Sequence, residues 1–216
     1  MELLHFLLDF ILHLDRHLVE LLARFDVWIY ALVFLVVFGE TGFVVTPFLP
    51  GDSLLFGLGA LAAIDTSGTL SPGWLALLLC VAAILGNTTN YAIGRSIGAH
   101  AFSGRYRFIK LDYLKQTEGW FARHGALTVV LSRFLPIIRT FAPFVAGVGR
   151  MHFGRFQGYN ILGAVAWVNL FVWSGYFFGN IPLIKNNFGL VTIGIIVVSM
   201  LPMLVMFLRR DRPTGV

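Results

Sequence analysis

The chain has 216 residues, of which 57% are hydrophobic and 12% charged, with a formal net charge of +5. So little polar surface cannot enclose a water-soluble core, so the composition excludes an ordinary soluble globule and predicts an all-α, polytopic membrane protein. The basic residues are scattered over segment ends without the basic face and interleaved aromatics of a nucleic-acid binder, and the single cysteine, Cys80, excludes an intramolecular disulfide or a cysteine metal cluster.

Residues 1–25 read as an amphipathic helix. Polar residues (Glu2, His5, Asp9, His13, Arg16, His17, Glu20, Arg24) recur nearly every fourth position, and leucines and isoleucines fill the other face. The segment lacks the basic start and small-residue cleavage site of a secretory signal, so it is expected to be retained and to lie in the bilayer interface or against the bundle. His5, His13 and His17 share its polar face with acids and arginines and read as solvated side chains.

Segment 26–64 is expected to form a first span or re-entrant hairpin, broken at its tip by Pro47, Pro50 and Gly51 and carrying Glu40 and Asp52 around the break. A transmembrane helix is predicted over 74–94, and a basic cytoplasmic loop over 95–124, holding Arg95, Arg105, Arg107, Lys110, Lys115 and Arg123. Segment 125–149 then reads as a second re-entrant hairpin. Pro136 and Pro143 cut it into halves of about 10 residues, roughly 15 Å, too short to cross about 30 Å of hydrocarbon. Two further spans are predicted at 156–179 and 188–208, followed by a cytoplasmic tail at 209–216. All eight segments belong to one membrane domain with three to four spanning helices.

Non-helical backbone at membrane depth is tolerated where it is buried in protein or lines a wet cavity, so the two breaks predict such a cavity. Pro47-Phe-Leu-Pro-Gly51 aligns with Pro143-Phe-Val-Ala-Gly147, and each hairpin is followed by a span with a small-residue stripe, Gly94 to Gly98 and Gly175 to Gly179. One span separates the hairpins, so they are predicted to enter from opposite faces as an inverted repeat, the arrangement of a secondary transporter with its site at the repeat interface.

Arg133 and Arg139 lie in the second hairpin, where ionisable side chains are expensive and mark a substrate or ion path. A planar guanidinium fork suits phosphate oxygens, so both are candidate substrate phosphate ligands. Glu40 and Asp52 are candidates for proton coupling or charge pairing. Pro47, Pro50, Gly51, Pro136, Pro143 and Gly147 are the candidate hairpin-shaping residues. Trp28, Trp74, Trp120, Trp167 and Trp173 read as interfacial anchors or packing residues, and His124 and His152 as solvated.

Three motifs, Glu40-Thr-Gly with Pro47-Phe-Leu-Pro-Gly-Asp-Ser53, Gly86-Asn-x-x-Asn-Tyr-x-Ile-Gly-Arg95 and Arg133-Phe-x-Pro-x-x-Arg-Thr-Phe-Ala-Pro-x-x-Ala-Gly147, resemble the signatures of the bacterial DedA family, whose shared region is also called the SNARE-associated or VTT domain. The likeness covers nearly the whole chain. It implies an inner-membrane protein with two opposed re-entrant hairpins, related to lipid scramblases, that moves phospholipid or the carrier undecaprenyl phosphate across the bilayer. The family's functional acids and arginines fall on Glu40, Asp52, Arg133 and Arg139. At Asn87, where many relatives carry an acid, the implied second proton-linked carboxylate is missing.

Three function classes follow: a proton-linked lipid transporter, a proton-coupled transporter of small ions or drugs, and a lipid phosphatase. The last requires a nucleophile, and neither arginine motif holds a histidine framed by arginines, nor is there a zinc-ligand spacing or phosphate-cradling glycine loop, so no enzyme is expected. Neither cofactor nor metal is expected. Membrane lipids are the expected partners, polyprenyl phosphate or phospholipid, and the sequence is compatible with a homo-oligomer.

Overall fold

The computed structural model describes residues 26–43, 51–65, 68–97 and 111–179, with positions 181, 182 and 194. The amphipathic segment 1–25, the span expected at 188–208, the tail, and Pro47 and Pro50 lie outside the described residues. Among the described residues every regular element is helical: α1 (Ile29–Gly42), α2 (Gly51–Ile64), α3 (Pro72–Ile97), α4 (Leu111–His124), α5 (Thr128–Leu131), α6 (Pro136–Val148) and α7 (Phe153–Phe178), with 3-10 turns at Asp26–Trp28, Gly125–Leu127 and Ser132–Phe134.

Two helices are long and apolar enough to cross a bilayer, α3 and α7, each of 26 residues. At 1.5 Å per residue each reaches about 39 Å. Helices α1 and α2, of 14 residues each, and α6, of 13, reach only about 20 Å. Pro72 opens α3, a position where its missing N–H goes unused. The link before it is tied back to α1, because Tyr30 Oη donates to Thr69 O at 3.2 Å and accepts from Ser71 N–H at 2.8 Å.

Helical periodicity explains which residues face inward. In α1, Ile29, Val33 and Val37 form a buried stripe whose next turn brings Glu40 into the interior. In α7 the buried stripe runs Phe156, Asn160, Gly163, Trp167, Val172 and Gly175. The core joins Ile29, Val33 and Val37 to Leu75, Leu79 and Ala83 of α3, to Leu55 and Leu58 of α2, and to Trp167 and Val172 of α7.

The same close helix contact occurs twice. A Cβ on Gly94 would overlap the Phe144 carbonyl and one on Gly147 the Tyr91 carbonyl, where α3 meets α6. Likewise a Cβ on Gly175 would overlap the Phe56 carbonyl and one on Gly59 the Val172 carbonyl, where α7 meets α2. Each short helix therefore packs on a long one through a matched pair of glycines. By this packing Gly147 corresponds to Gly59, about two turns beyond the Gly51 that motif similarity aligns with it.

Two expected features differ in the structure. Segment 95–124, read as a loop, contains α4, whose Trp120 and Phe121 pack against Leu135, Ile138 and Ala142. Its charged residues hid an apolar ridge at helical spacing. Segment 125–149 is broken once, at Leu135 (φ −126°, ψ 101°), where Pro136 opens α6. Helix α6 then runs through Pro143, which only withholds an N–H from the Arg139 carbonyl, a cost of about 3 kcal/mol that tight packing against α3 must offset.

Candidate functional site

The site forms where the first turns of α2 and α6 meet the last turn of α1 and the middle of α7. Glu40 comes from α1, Asp52 from the first turn of α2, Arg139 from the first turn of α6 and Arg133 from the 3-10 turn before it. All four are buried. Asp52 gains further from its place at a helix N-terminus, a favourable position for a carboxylate by about 0.3–1 kcal/mol.

Arg139 is the hub. Its Nη1 donates to Asp52 Oδ1 at 2.9 Å and its Nη2 to Glu40 Oε1, so one guanidinium spans two carboxylates from different helices. A Cβ on Gly51 would overlap the Glu40 carboxylate, so a larger residue there would displace that side chain. That is a steric reason for the glycine, more specific than hairpin shaping. Gly147, similarly expected to shape the hairpin, serves the close approach of α6 to α3.

Trp167 lies close to both arginines. Its indole N–H donates to Asp52 Oδ1 at 2.9 Å, and its ring centre lies 5.4 Å from the Arg139 guanidinium and 5.8 Å from that of Arg133. An aromatic ring attracts a cation near its face. Composition had suggested an anchor or packing residue, whereas Trp167 is fully buried among the charges.

Arg133, also close to that ring, meets no carboxylate among the described residues. Its Nη2 donates to Asn160 Oδ1 at 2.8 Å, with the Ala83 carbonyl at 3.4 Å, and its Nε and Nη1 meet no described acceptor. The expected meeting of four charges is therefore a triad, Glu40–Arg139–Asp52, and a separate arginine. Removing hydrogen-bond partners from a buried charged group costs about 1–3 kcal/mol or more. Arg133 is thus the group with unused donors for an anion, whereas Arg139 offers only its Nε while it holds both acids.

Three asparagines complete the polar interior. Asn87 Nδ2 donates to Asn160 Oδ1 at 3.1 Å, and Asn90 Nδ2 to the Thr41 and Thr140 carbonyls at 3.3 and 2.8 Å, linking α1 to α6. In the sequence, Asn90 figures only as part of a motif and Trp167 only as an anchor or packing residue, and Asn160 does not stand out. The available signal was an amide in an otherwise apolar span, since such a group must find partners in the interior.

The four charged side chains around which a cavity is expected are all buried. A cavity of about 570 Å³ lies elsewhere, between the starts of α1 and α3, lined by Tyr30, Phe34, Trp74, Leu77 and Val81 among others and by no charged residue. No group of three potential metal-ligating side chains is found among the described residues. His124 and His152 are exposed, His124 stacking on Trp120 at 4.6 Å.

Residues 49–177, which contain Asp52, both arginines and Trp167, match the VTT domain family. The chain belongs to the DedA (VTT-domain) family. It is 50% identical to Protein DedA of Escherichia coli K12 over 213 residues, covering 98% of this chain and 97% of that protein. Two more distant relatives are the uncharacterized membrane protein Rv0364 of Mycobacterium tuberculosis, 41% identical over 83% of this chain and 79% of its own length, and the inner membrane protein YghB of Escherichia coli K12, 33% identical over 83% and 78%. No solved structure matches the chain. Composition, two helices among the described residues long and apolar enough to span a bilayer, and these relatives together make it an integral membrane protein of the bacterial type.

Proposed function

We propose that this DedA-family protein, placed in the inner membrane as the named relative YghB is, moves a phosphate-bearing lipid across the bilayer, with Arg133 as the first phosphate ligand. The observation that carries this reading is the buried Arg133 fork with Nε and Nη1 unused, while Arg139 is bound to both acids. The lipid is a polyprenyl phosphate such as undecaprenyl phosphate, or a phospholipid.

Charge balance supports proton linkage. The triad carries one excess negative charge and Arg133 one positive charge, so the four groups together are neutral. A bound phosphate makes this interior negative, and a proton on Glu40 or Asp52 restores the balance. The proton also offsets the membrane potential, which opposes inward movement of an anion by about 2.3 kcal/mol per charge for every 100 mV.

The twice-repeated glycine packing supports two re-entrant hairpins of opposite orientation, α1–α2 and α5–α6, whose second arms both begin at the charges. Rocking one against the other would open the site to each leaflet in turn. Arg139 would then release an acid and become the second phosphate ligand.

The test is lipid retention. Protein purified in mild detergent is expected to carry a long-chain lipid phosphate, detectable by mass spectrometry, and Arg133→Ala to lose it. Equal retention by both proteins, or none in the wild type, overturns the assignment. Proton-driven movement of a small ion or drug, with no lipid retained, would establish the alternative reading.

A further inference from the structure

Arg133 ends a line of polar side chains that reaches the protein's flank. Its Nη2 is bonded to Asn160 Oδ1, while Asn160 Nδ2 lies 3.4 Å from both Thr88 Oγ1 and Gln157 Oε1. Thr88 Oγ1 in turn lies 3.1 Å from Gln157 Oε1. Asn160 is fully buried, whereas Thr88 and Gln157 are half-exposed at the seam where α3 crosses α7. Nearby positions on the same two helices, Leu85 and Ile161, are exposed and apolar, as a lipid-facing surface requires.

Thr88 Oγ1 is already satisfied by the Ile84 carbonyl at 2.7 Å, whereas a polar group at membrane depth that lacks a partner costs free energy. The Gln157 amide nitrogen donates to no described residue. The line runs from Gln157, about one turn into α7 and two residues beyond exposed Arg155, to Asn160, about two turns in, a rise of roughly 5 Å along the helix, and on to Arg133. Neutral donors near the flank lead to an arginine with unused donors at depth.

We infer that the α3–α7 seam is a lateral lane through which a phosphate headgroup passes between the Arg155 end of α7 and Arg133, while the hydrocarbon chain stays in the bilayer. This rests on the lipid-phosphate reading above and names its access route. Gln157 and Thr88 bond the headgroup through uncharged groups, whereas Arg133 adds a full positive charge and a planar fork, so the phosphate is drawn inward.

The experiment uses the full chain in phosphatidylcholine vesicles, in a Cys80→Ala background, with single substitutions Thr88→Cys, Gln157→Cys, Leu85→Cys and Ile161→Cys. A charged, water-soluble thiol reagent should modify the first two severalfold faster than the last two. Equal rates at all four positions overturn the lane. A long-chain alkyl phosphate in the vesicles should slow modification of Gln157→Cys, and inorganic phosphate at the same concentration should not. Slowing by both reagents assigns the path to free anions, and slowing by neither removes phosphate from it; each result overturns the proposal.

The double variant Thr88→Val/Gln157→Leu separates this inference from the functional reading. Retained lipid phosphate with severalfold slower transport supports the lane. Retained lipid with wild-type transport overturns the lane alone. Absence of both retention and transport in the wild type overturns the lipid-phosphate reading, while the alkyl phosphate protection result still decides the lane.

Discussion

Trp167 and Arg139 donate to the same carboxylate oxygen: indole Nε1 and guanidinium Nη1 each lie 2.9 Å from Asp52 Oδ1. This shared acceptor links the buried indole to the ion pair that occupies Arg139.

Trp167→Phe isolates that bond, because it keeps an aromatic face beneath both cations and removes the N–H. Hydrogen bonds to charged groups contribute about 1.5–3 kcal/mol, so transport should fall by about tenfold or more with the protein still folded. Trp167→Leu should lose more, since the cation–π contacts go as well. Thermal melting in detergent beside transport in vesicles checks both. Wild-type behaviour of Trp167→Phe in the two assays would remove the indole N–H from the mechanism.

Glu40→Gln and Asp52→Asn test proton linkage. If either carboxylate takes the proton that accompanies phosphate, its amide variant should flatten the dependence of transport on pH while membrane insertion persists. The measurement is initial transport rate across a pH series in vesicles without an imposed potential. An unchanged profile in both variants would exclude them as proton carriers.

The paired glycine contacts make a stability prediction. Gly59→Ala and Gly147→Ala each force a methyl group into backbone across a helix contact, and overpacking of this kind costs about 1–3 kcal/mol. Gly158→Ala, in α7 with open space around it, should be neutral or stabilising by up to about 1 kcal/mol through lower chain entropy. Melting of the three variants in detergent checks the contrast. Equal melting temperatures for all three would contradict the close approach of the short helices to the long ones.

Much of this arrangement is legible in the amino-acid sequence. The runs around Trp74 to Leu85 and Ile161 to Phe178 marked α3 and α7, because continuous apolarity is a strong signal for a span. Arg133, Arg139, Glu40 and Asp52 stood out because charge is rare in such surroundings, and they are buried close together. Their pairing was not legible. Nothing local distinguishes Arg139, bound to both acids, from Arg133, bound to Asn160, since the choice depends on how α1, α2 and α7 converge.

Pro143 misled for a related reason: proline predicts a break from local chemistry, whereas the packing of α6 on α3 holds the helix through it. Trp167 was hidden among five tryptophans, most of which suit a membrane interface. Only the inward stripe of α7, with Asn160 about two turns before it, reveals its place.

The most direct test of the central claim is transport of a fluorescent or isotopically marked lipid phosphate in vesicles holding the full chain, Arg133→Ala or Arg133→Lys. Wild-type protein should carry the lipid phosphate between leaflets and leave a neutral analogue of equal chain length unmoved. Arg133→Ala should abolish movement, and Arg133→Lys should restore little of it because an ammonium lacks the planar fork. Equal movement of the phosphate and its neutral analogue, or wild-type rates in Arg133→Ala, would contradict the claim that Arg133 holds the phosphate.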